Sequence, residues 1–318
     1  MQLSFVRMGV LSKRFLERLR SGLPLVLDAA MGTELQRRDA NTTLPLWSAQ
    51  ALIEDPELVW TIHGDEVASG ADIVTANTFR THARTLAKAG LEARAGELSA
   101  LAVRLAHQSA SVPGRDVFVA GSLSPLEDCY RPDLVPDQAA VEREHAAQAR
   151  FLAESGVDLI LAETHNSIRE AVAATRAAKD TGVPTVICLV TDGSGRLLSG
   201  ESVGDAAAAL LPLAPDAIGI NCTPATRLAG DLAMLAAAAA GVPLVAYGNL
   251  GLPADGPGWS FTEELAPADY AAEAARWIAL GARIVGGCCG TTGEHTRALQ
   301  GVVRSAASQV ARPSVSIS

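Results

Sequence analysis

Two cysteines stand side by side near the end of the chain, in Gly286-Gly287-Cys288-Cys289-Gly290-Thr291-Thr292. Adjacent Cα atoms lie ~3.8 Å apart, short of the ~4.4–6.8 Å that a disulfide prefers. A strain-free bond between these neighbours is not expected. Two thiolates directed at one metal ion use the pair better, and the flanking glycines leave the backbone free to aim both side chains. Such a site needs a third thiolate, which Cys222 supplies if the fold brings its stretch to the same place.

The elements that must do so are legible as hydrophobic runs. Eight short apolar segments, at 24–27, 71–75, 117–120, 157–162, 184–190, 216–220, 243–247 and 282–285, alternate with helical stretches. Continuous apolar runs of this length read as parallel strands buried on both faces. Helices are expected over 11–19, over 56–69 with a stop at Gly70, and from an Asp137 cap through 154, and Ser167 is placed to cap another. Eight strand–helix units in one chain of 318 residues predict an α/β fold, a (β/α)8 TIM barrel. The open doubly wound alternative lacks a G-x-G-x-x-G after the first strand. No linker divides the chain, so residues 1–318 read as a single barrel domain, with a polar tail from about 312 expected to be disordered.

A barrel carries its chemistry at the C-terminal ends of its strands. There stand Asp28, Asn77, Glu163, Asn221, Cys222, Cys288 and Cys289. The ends of strands six and eight lie ~9–10 Å apart by inter-strand spacing, a gap that inward side chains close. Three sulfurs leave a tetrahedral zinc ion one open position, the mark of a catalytic rather than a structural site. A soft, all-thiolate site suits a thiol substrate, whose proton zinc displaces. Asp28 and Glu163 together form an anionic pair fit for a substrate ammonium group, with Asn77 and Asn221 as further substrate contacts.

The remaining candidates read more plainly. Cys129 and Cys188 are expected to be small buried hydrophobes. His63, His82, His107, His145 and His295 lie on helical stretches and read as surface residues. His165 stands near the rim without a nameable partner, either solvated or supporting the site. The loop from 249 to 265, rich in Gly and Pro and holding Trp259 and Phe261, is placed to cover the site.

The net charge of −9 argues against nucleic acid or an anionic membrane surface as partner. Five cysteines, an odd number, do not form a secreted disulfide framework. With no signal-like N-terminus and no apolar run of spanning length, a cytoplasmic enzyme acting on small molecules is expected.

The chain resembles the homocysteine S-methyltransferase family. The resemblance rests on Leu27-Asp28-Ala29-Ala30-Met31-Gly32-Thr33-Glu34-Leu35, Leu46-Trp47-Ser48, Ala71-Asp72-Ile73-Val74-Thr75-Ala76-Asn77-Thr78-Phe79, Ile220-Asn221-Cys222-Thr223-Pro224 and the double-cysteine stretch. It implies a (β/α)8 barrel with zinc held by Cys222, Cys288 and Cys289. It implies that the sulfur of homocysteine meets the zinc while its amino group meets Asp28 and Glu163. It implies methyl transfer to that sulfur, giving methionine. Asn221-Cys222-Thr223-Pro224 is most similar to members using a sulfonium donor, S-methylmethionine or S-adenosylmethionine. Gly248-Asn249-Leu250-Gly251-Leu252-Pro253 is nearer to the barrel of cobalamin-dependent methionine synthase. Betaine, a methylated corrinoid or folate, another acceptor thiol, or a non-catalytic zinc- or thiol-binding role are the alternatives.

Overall fold

The computed structural model describes residues 2–253, 259–260 and 265–310. Its frame is eight strands: β1 (Leu25–Val26), β2 (Ile73–Ala76), β3 (Phe118–Leu123), β4 (Leu159–His165), β5 (Thr185–Leu189), β6 (Ala217–Pro224), β7 (Leu244–Asn249) and β8 (Ala282–Gly287). Every pairing in this sheet is parallel, neighbours follow chain order, and β1 lies beside β8. A parallel bridge between Leu27 and Ile73 completes the ring. Two backbone bonds flank it, Asp28 N to Ile73 O at 3.0 Å and Asp72 N to Val26 O at 2.7 Å. The predicted (β/α)8 barrel is what the chain forms.

Strand alternation sorts the core into two layers, because successive side chains point to opposite faces. Leu25, Ile73, Phe118, Leu159, Leu161, Val186, Val245 and Ile284 pack into one cluster inside the barrel. Their neighbours Val26, Val74, Val119, Ile160, Ile187, Ala246 and Val285 pack outward against the helices. The leading helix, Gln2–Arg20, joins the inner cluster through Phe15 and Leu19. The Phe15 ring meets Phe118 edge-on at 5.6 Å. The helix thereby plugs the end of the barrel opposite the strand C-termini.

The expected helix Pro56–Ser69 starts on an Asp55 cap, whose side chain accepts from Leu58 N, and stops at Gly70 with φ 116°. Asp137 caps Gln138–Ser155 through Ala140 N. Ser167 differs. It occupies the N-cap position of Ile168–Asp180 but makes no side-chain cap bond. The Glu201 carboxylate accepts from Ile168 N instead, at 2.8 Å.

The surface reading of the histidines fails for four of the five. His63, His145 and His295 are buried because the helix faces that carry them pack inward, and His82 is buried at a helix N-cap. Burial alone pulls the His63 imidazole down to about 4. His82 caps the helix Ala83–Ala87, and His145 bonds Glu170 at 3.1 Å. His165 is fully buried and its Nε2 donates to the Leu123 carbonyl at 3.2 Å, so it supports the loop after β3. Cys129 and Cys188 are buried as expected. No described helix is long and apolar enough to cross a membrane. The tail from about 312 and residues 254–258 and 261–264 of the expected covering loop, Phe261 among them, lie outside the described residues.

Candidate metal and substrate site

At the C-terminal mouth of the barrel a cavity of about 270 Å³ gathers residues from strand ends and the loops beyond them. Among them are Asp28, Asn77, Glu163, Cys222, Cys288 and Cys289. The three sulfurs lie within 4.8 Å of one another, a donor set able to hold a metal ion. Cys222 and Cys288 are joined as a disulfide across a Cα separation of 5.7 Å, and Cys289 is free. The sequence alone treats all three as thiols. The strand ends bring the first two within disulfide range, so it is the reduced form that offers three ligands.

Cys222 reaches the site only because β6 is irregular. Ile218 and Ile220 pack outward, so strict alternation would send Cys222 outward too. The register between β6 and β7 shifts between Asn221 and Pro224, and Cys222 takes φ 51°. The extra residue re-aims the side chain, as a bulge does, and Cys222 packs with the inner cluster. A matching shift lies between Ala162 and His165 on β4, where Thr164 has φ 64°. Positive φ at two residues with side-chain branches or sulfur is costly and persists where the surroundings hold it. Asn221 does the holding. Its Oδ1 accepts from Thr164 N at 2.9 Å and its Nδ2 donates to Thr164 Oγ1 at 2.8 Å. Asn221 was expected to touch substrate; its amide is engaged with Thr164 and it does not line the cavity.

The two carboxylates are buried and individually tethered. Asp28 accepts from Thr75 N and Thr75 Oγ1, both at 2.8 Å. Glu163 accepts from Ser122 Oγ at 2.5 Å and from Tyr247 Oη at 2.9 Å. Burial drives the Asp28 carboxyl well above the usual carboxylate range, helped by the charges of Glu66 and Glu163 and opposed by its Thr75 bonds. Burial also raises Glu163, against the bonds from Ser122 and Tyr247. Both acids are thus poised for a cation that shares their desolvation. Asn77 lines the cavity while its Nδ2 donates to Ser48 O at 2.8 Å, holding the segment that carries Trp47. Burial pushes the Cys289 thiol up to about 12, with Cys129 and Glu163 adding repulsion.

The sequence profile described as homocysteine S-methyltransferase matches residues 25–303. The chain belongs to the homocysteine S-methyltransferase family. It is 30% identical over 306 residues to the homocysteine S-methyltransferase YbgG of Bacillus subtilis, covering 88% of this chain and 95% of that one. Among solved structures, the metallated form of the homocysteine methyltransferase MmuM from Escherichia coli superposes with a TM-score of 0.75 at 30% identity. That match covers 87% of this chain and 96% of MmuM. The oxidised form of MmuM superposes with a TM-score of 0.76 at 29% identity, covering 87% and 95%.

Two glycines of the double-cysteine turn are needed for space as well as freedom. A Cβ on Gly287 would stand 2.1 Å from Thr291 Oγ1. Gly290 has φ 86°, and a Cβ there would meet Leu250 O at 2.3 Å. Gly290→Ala is therefore expected to cost roughly 1–3 kcal/mol of stability from the left-handed backbone alone, read as a lower thermal midpoint. The steric clash adds to it.

Several residues that build the site carried no signal in the sequence. Ser122, Thr75 and Tyr247 tether the acids, yet Thr75 and Tyr247 read as ordinary strand residues and Ser122 lies beyond the strand expected at 117–120. They are inward by alternation with Ala120, Ile73 and Val245, so barrel parity was the clue available. Glu66 was equally silent. It accepts from Ala29 N at 3.2 Å and Thr296 Oγ1 at 2.6 Å, tying the start of the chain's first rim loop to its last helix. Cys129, read as a buried hydrophobe, also lines the cavity.

Proposed function

We propose that this chain transfers a methyl group from a sulfonium donor, S-methylmethionine or S-adenosylmethionine, to the thiol of L-homocysteine, giving methionine. In this reading a zinc ion is held by Cys222, Cys288 and Cys289. The observation that carries it is the convergence of three sulfurs and two buried carboxylates on one cavity. Family membership supports the acceptor and the reaction.

The residues fit the metal. Three soft, clustered donors suit zinc rather than magnesium or calcium, and three protein ligands leave a position for substrate. A thiol raised as Cys289 is stays neutral unless a cation offsets the charge of its thiolate. When bound, zinc supplies the Lewis acidity that brings a thiol to its thiolate near neutral pH. Asp28 and Glu163 take the ammonium of homocysteine, which fixes the reach of its sulfur toward the cysteines. The sulfur lone pair forms the new S–CH3 bond while the donor's S–CH3 bond breaks. The bonding pair returns to the donor sulfur, leaving it a neutral thioether. Trp47, Phe79 and Tyr130 line the cavity, and aromatic faces attract a cationic sulfonium. Holding both partners in line removes much of the entropic cost of the encounter.

Residues 1–318 serve as one barrel domain in this scheme, and a reducing cytoplasm keeps Cys222 and Cys288 as thiols. The test is a donor screen on reduced, zinc-loaded protein with L-homocysteine, following methionine. S-Methylmethionine or S-adenosylmethionine is expected to give turnover. Turnover with betaine alone would overturn the donor, and none with any donor would overturn the reaction.

A further inference from the structure

The cavity is charged almost entirely in one sense. Asp28, Asp128 and Glu163 line it, and among its described lining residues Arg80 is the single cationic side chain. Arg80 stands in the turn after β2, its guanidinium 5.4 Å from the Phe79 ring centroid. Its Nε is buried without a hydrogen-bond partner among the described residues. No described carboxylate is in an ion pair with it. The contrast with Arg84 is direct, since that side chain is taken by Glu144 at 2.8 Å and Glu127 at 3.3 Å. A buried N–H left unmatched is rare in folded proteins, and costly where no ligand meets it.

An amino-acid substrate brings two charges. The tethered acids answer its ammonium, and its carboxylate still needs a donor. A guanidinium offers the planar fork that matches a carboxylate. We propose that Arg80 binds the carboxylate of a reacting amino acid and so selects amino-acid substrates over the corresponding amines. This rests on the methyl-transfer reading. Acceptor and donor can each carry such a carboxylate, so the chemistry is shared and the experiment separates the two sources.

The test compares reduced, zinc-loaded wild type with Arg80→Met and Arg80→Lys. The acceptor pair is homocysteine against 3-aminopropanethiol, which keeps the thiol and the amine and lacks the carboxylate. The donor pair is S-methylmethionine against dimethyl(3-aminopropyl)sulfonium. Wild type is expected to favour one or both carboxylated partners by roughly 10- to 100-fold in KM, the range for a charged hydrogen bond. In Arg80→Met that preference collapses on the axis Arg80 serves, while the decarboxylated analogue is handled as by wild type. Arg80→Lys restores charge without the fork and recovers part of it. Collapse on the acceptor axis assigns the homocysteine carboxylate, and collapse on the donor axis assigns the donor's. Both preferences surviving in Arg80→Met would overturn the proposal and leave the carboxylate to backbone amides of residues 30–32, which also line the cavity. Calorimetric titration of the same four compounds repeats the comparison without turnover. Absence of any methyl transfer by wild type therefore sinks the reaction alone, while equal binding of each pair by wild type sinks the role of Arg80.

Discussion

Cys289→Ser is expected to leave the barrel folded and strip it of its metal. Cys289 is the free member of the trio, so the substitution spares the Cys222–Cys288 pair. It exchanges a soft sulfur for a weakly acidic hydroxyl and leaves two protein ligands. Loss of an outer partner of a metal ligand already costs ~10–100-fold in affinity, so loss of the ligand itself should cost at least that. Reduced wild type should hold about one zinc per chain, read by elemental analysis, and Cys289→Ser well under it. Methionine formation should fall with the metal. A ligand bound only by the native state at about 100 times its Kd stabilises by about 2.7 kcal/mol. A chelator should therefore lower the thermal midpoint of wild type and hardly move that of the variant. Full zinc retention with full activity in Cys289→Ser would end the metal reading.

The acid pair carries the second large effect. Asp28→Asn and Glu163→Gln keep the shape of each side chain, and rotating hydroxyls on Thr75, Ser122 and Tyr247 can serve the new amides. What goes is the negative charge that meets the substrate ammonium. Each variant is expected to raise the KM for homocysteine by roughly 10- to 100-fold, the range for a hydrogen bond to a charged group. The stability effect has the opposite sign. Both carboxyls titrate above their usual range, chiefly through burial. The stability they contribute is complete below the ordinary carboxylate pKa and is lost as pH rises through the raised folded value. Above that value the ionised acids therefore cost stability. Asp28→Asn should melt higher than wild type there, and the gap should close as the pH falls and Asp28 becomes neutral. Wild-type affinity for homocysteine should weaken over the same descent. An Asp28→Asn protein that melts lower than wild type above that raised value, with unchanged KM, would contradict both halves.

Both effects trace to residues that the strand pattern had already placed on the rim. Asp28 and Glu163 each close an apolar run, and in a barrel that position faces the mouth. Cys288 follows Ile284 by four residues and so shares its inward face. The histidines were misread for a related reason. A helix in this fold buries one face against the strands or against neighbouring helices, and a lone polar residue gives no sign of which face it occupies. His145 lies inside because Glu170, twenty-five residues away in sequence, waits for it across the helix boundary. Asn221, expected among the substrate contacts, holds Thr164, fifty-seven residues back, with its amide.

The sequence by itself determined the barrel, the rim and the residue types that meet there, because hydrophobic period and strand-end position are local properties of the chain. Only the tertiary structure decided that Cys222 joins the pair at 288–289. Alternation along β6 would have turned it outward, and the register shift against β7 with its φ of 51° turned it in. That shift is a property of two strands packed together, held by an amide from one onto the backbone of a third. The same holds for Arg80. Its charge is plain in the sequence, but its lack of a partner among the described residues belongs to the folded cavity, where the other described charged residues, Asp28, Asp128 and Glu163, are acidic.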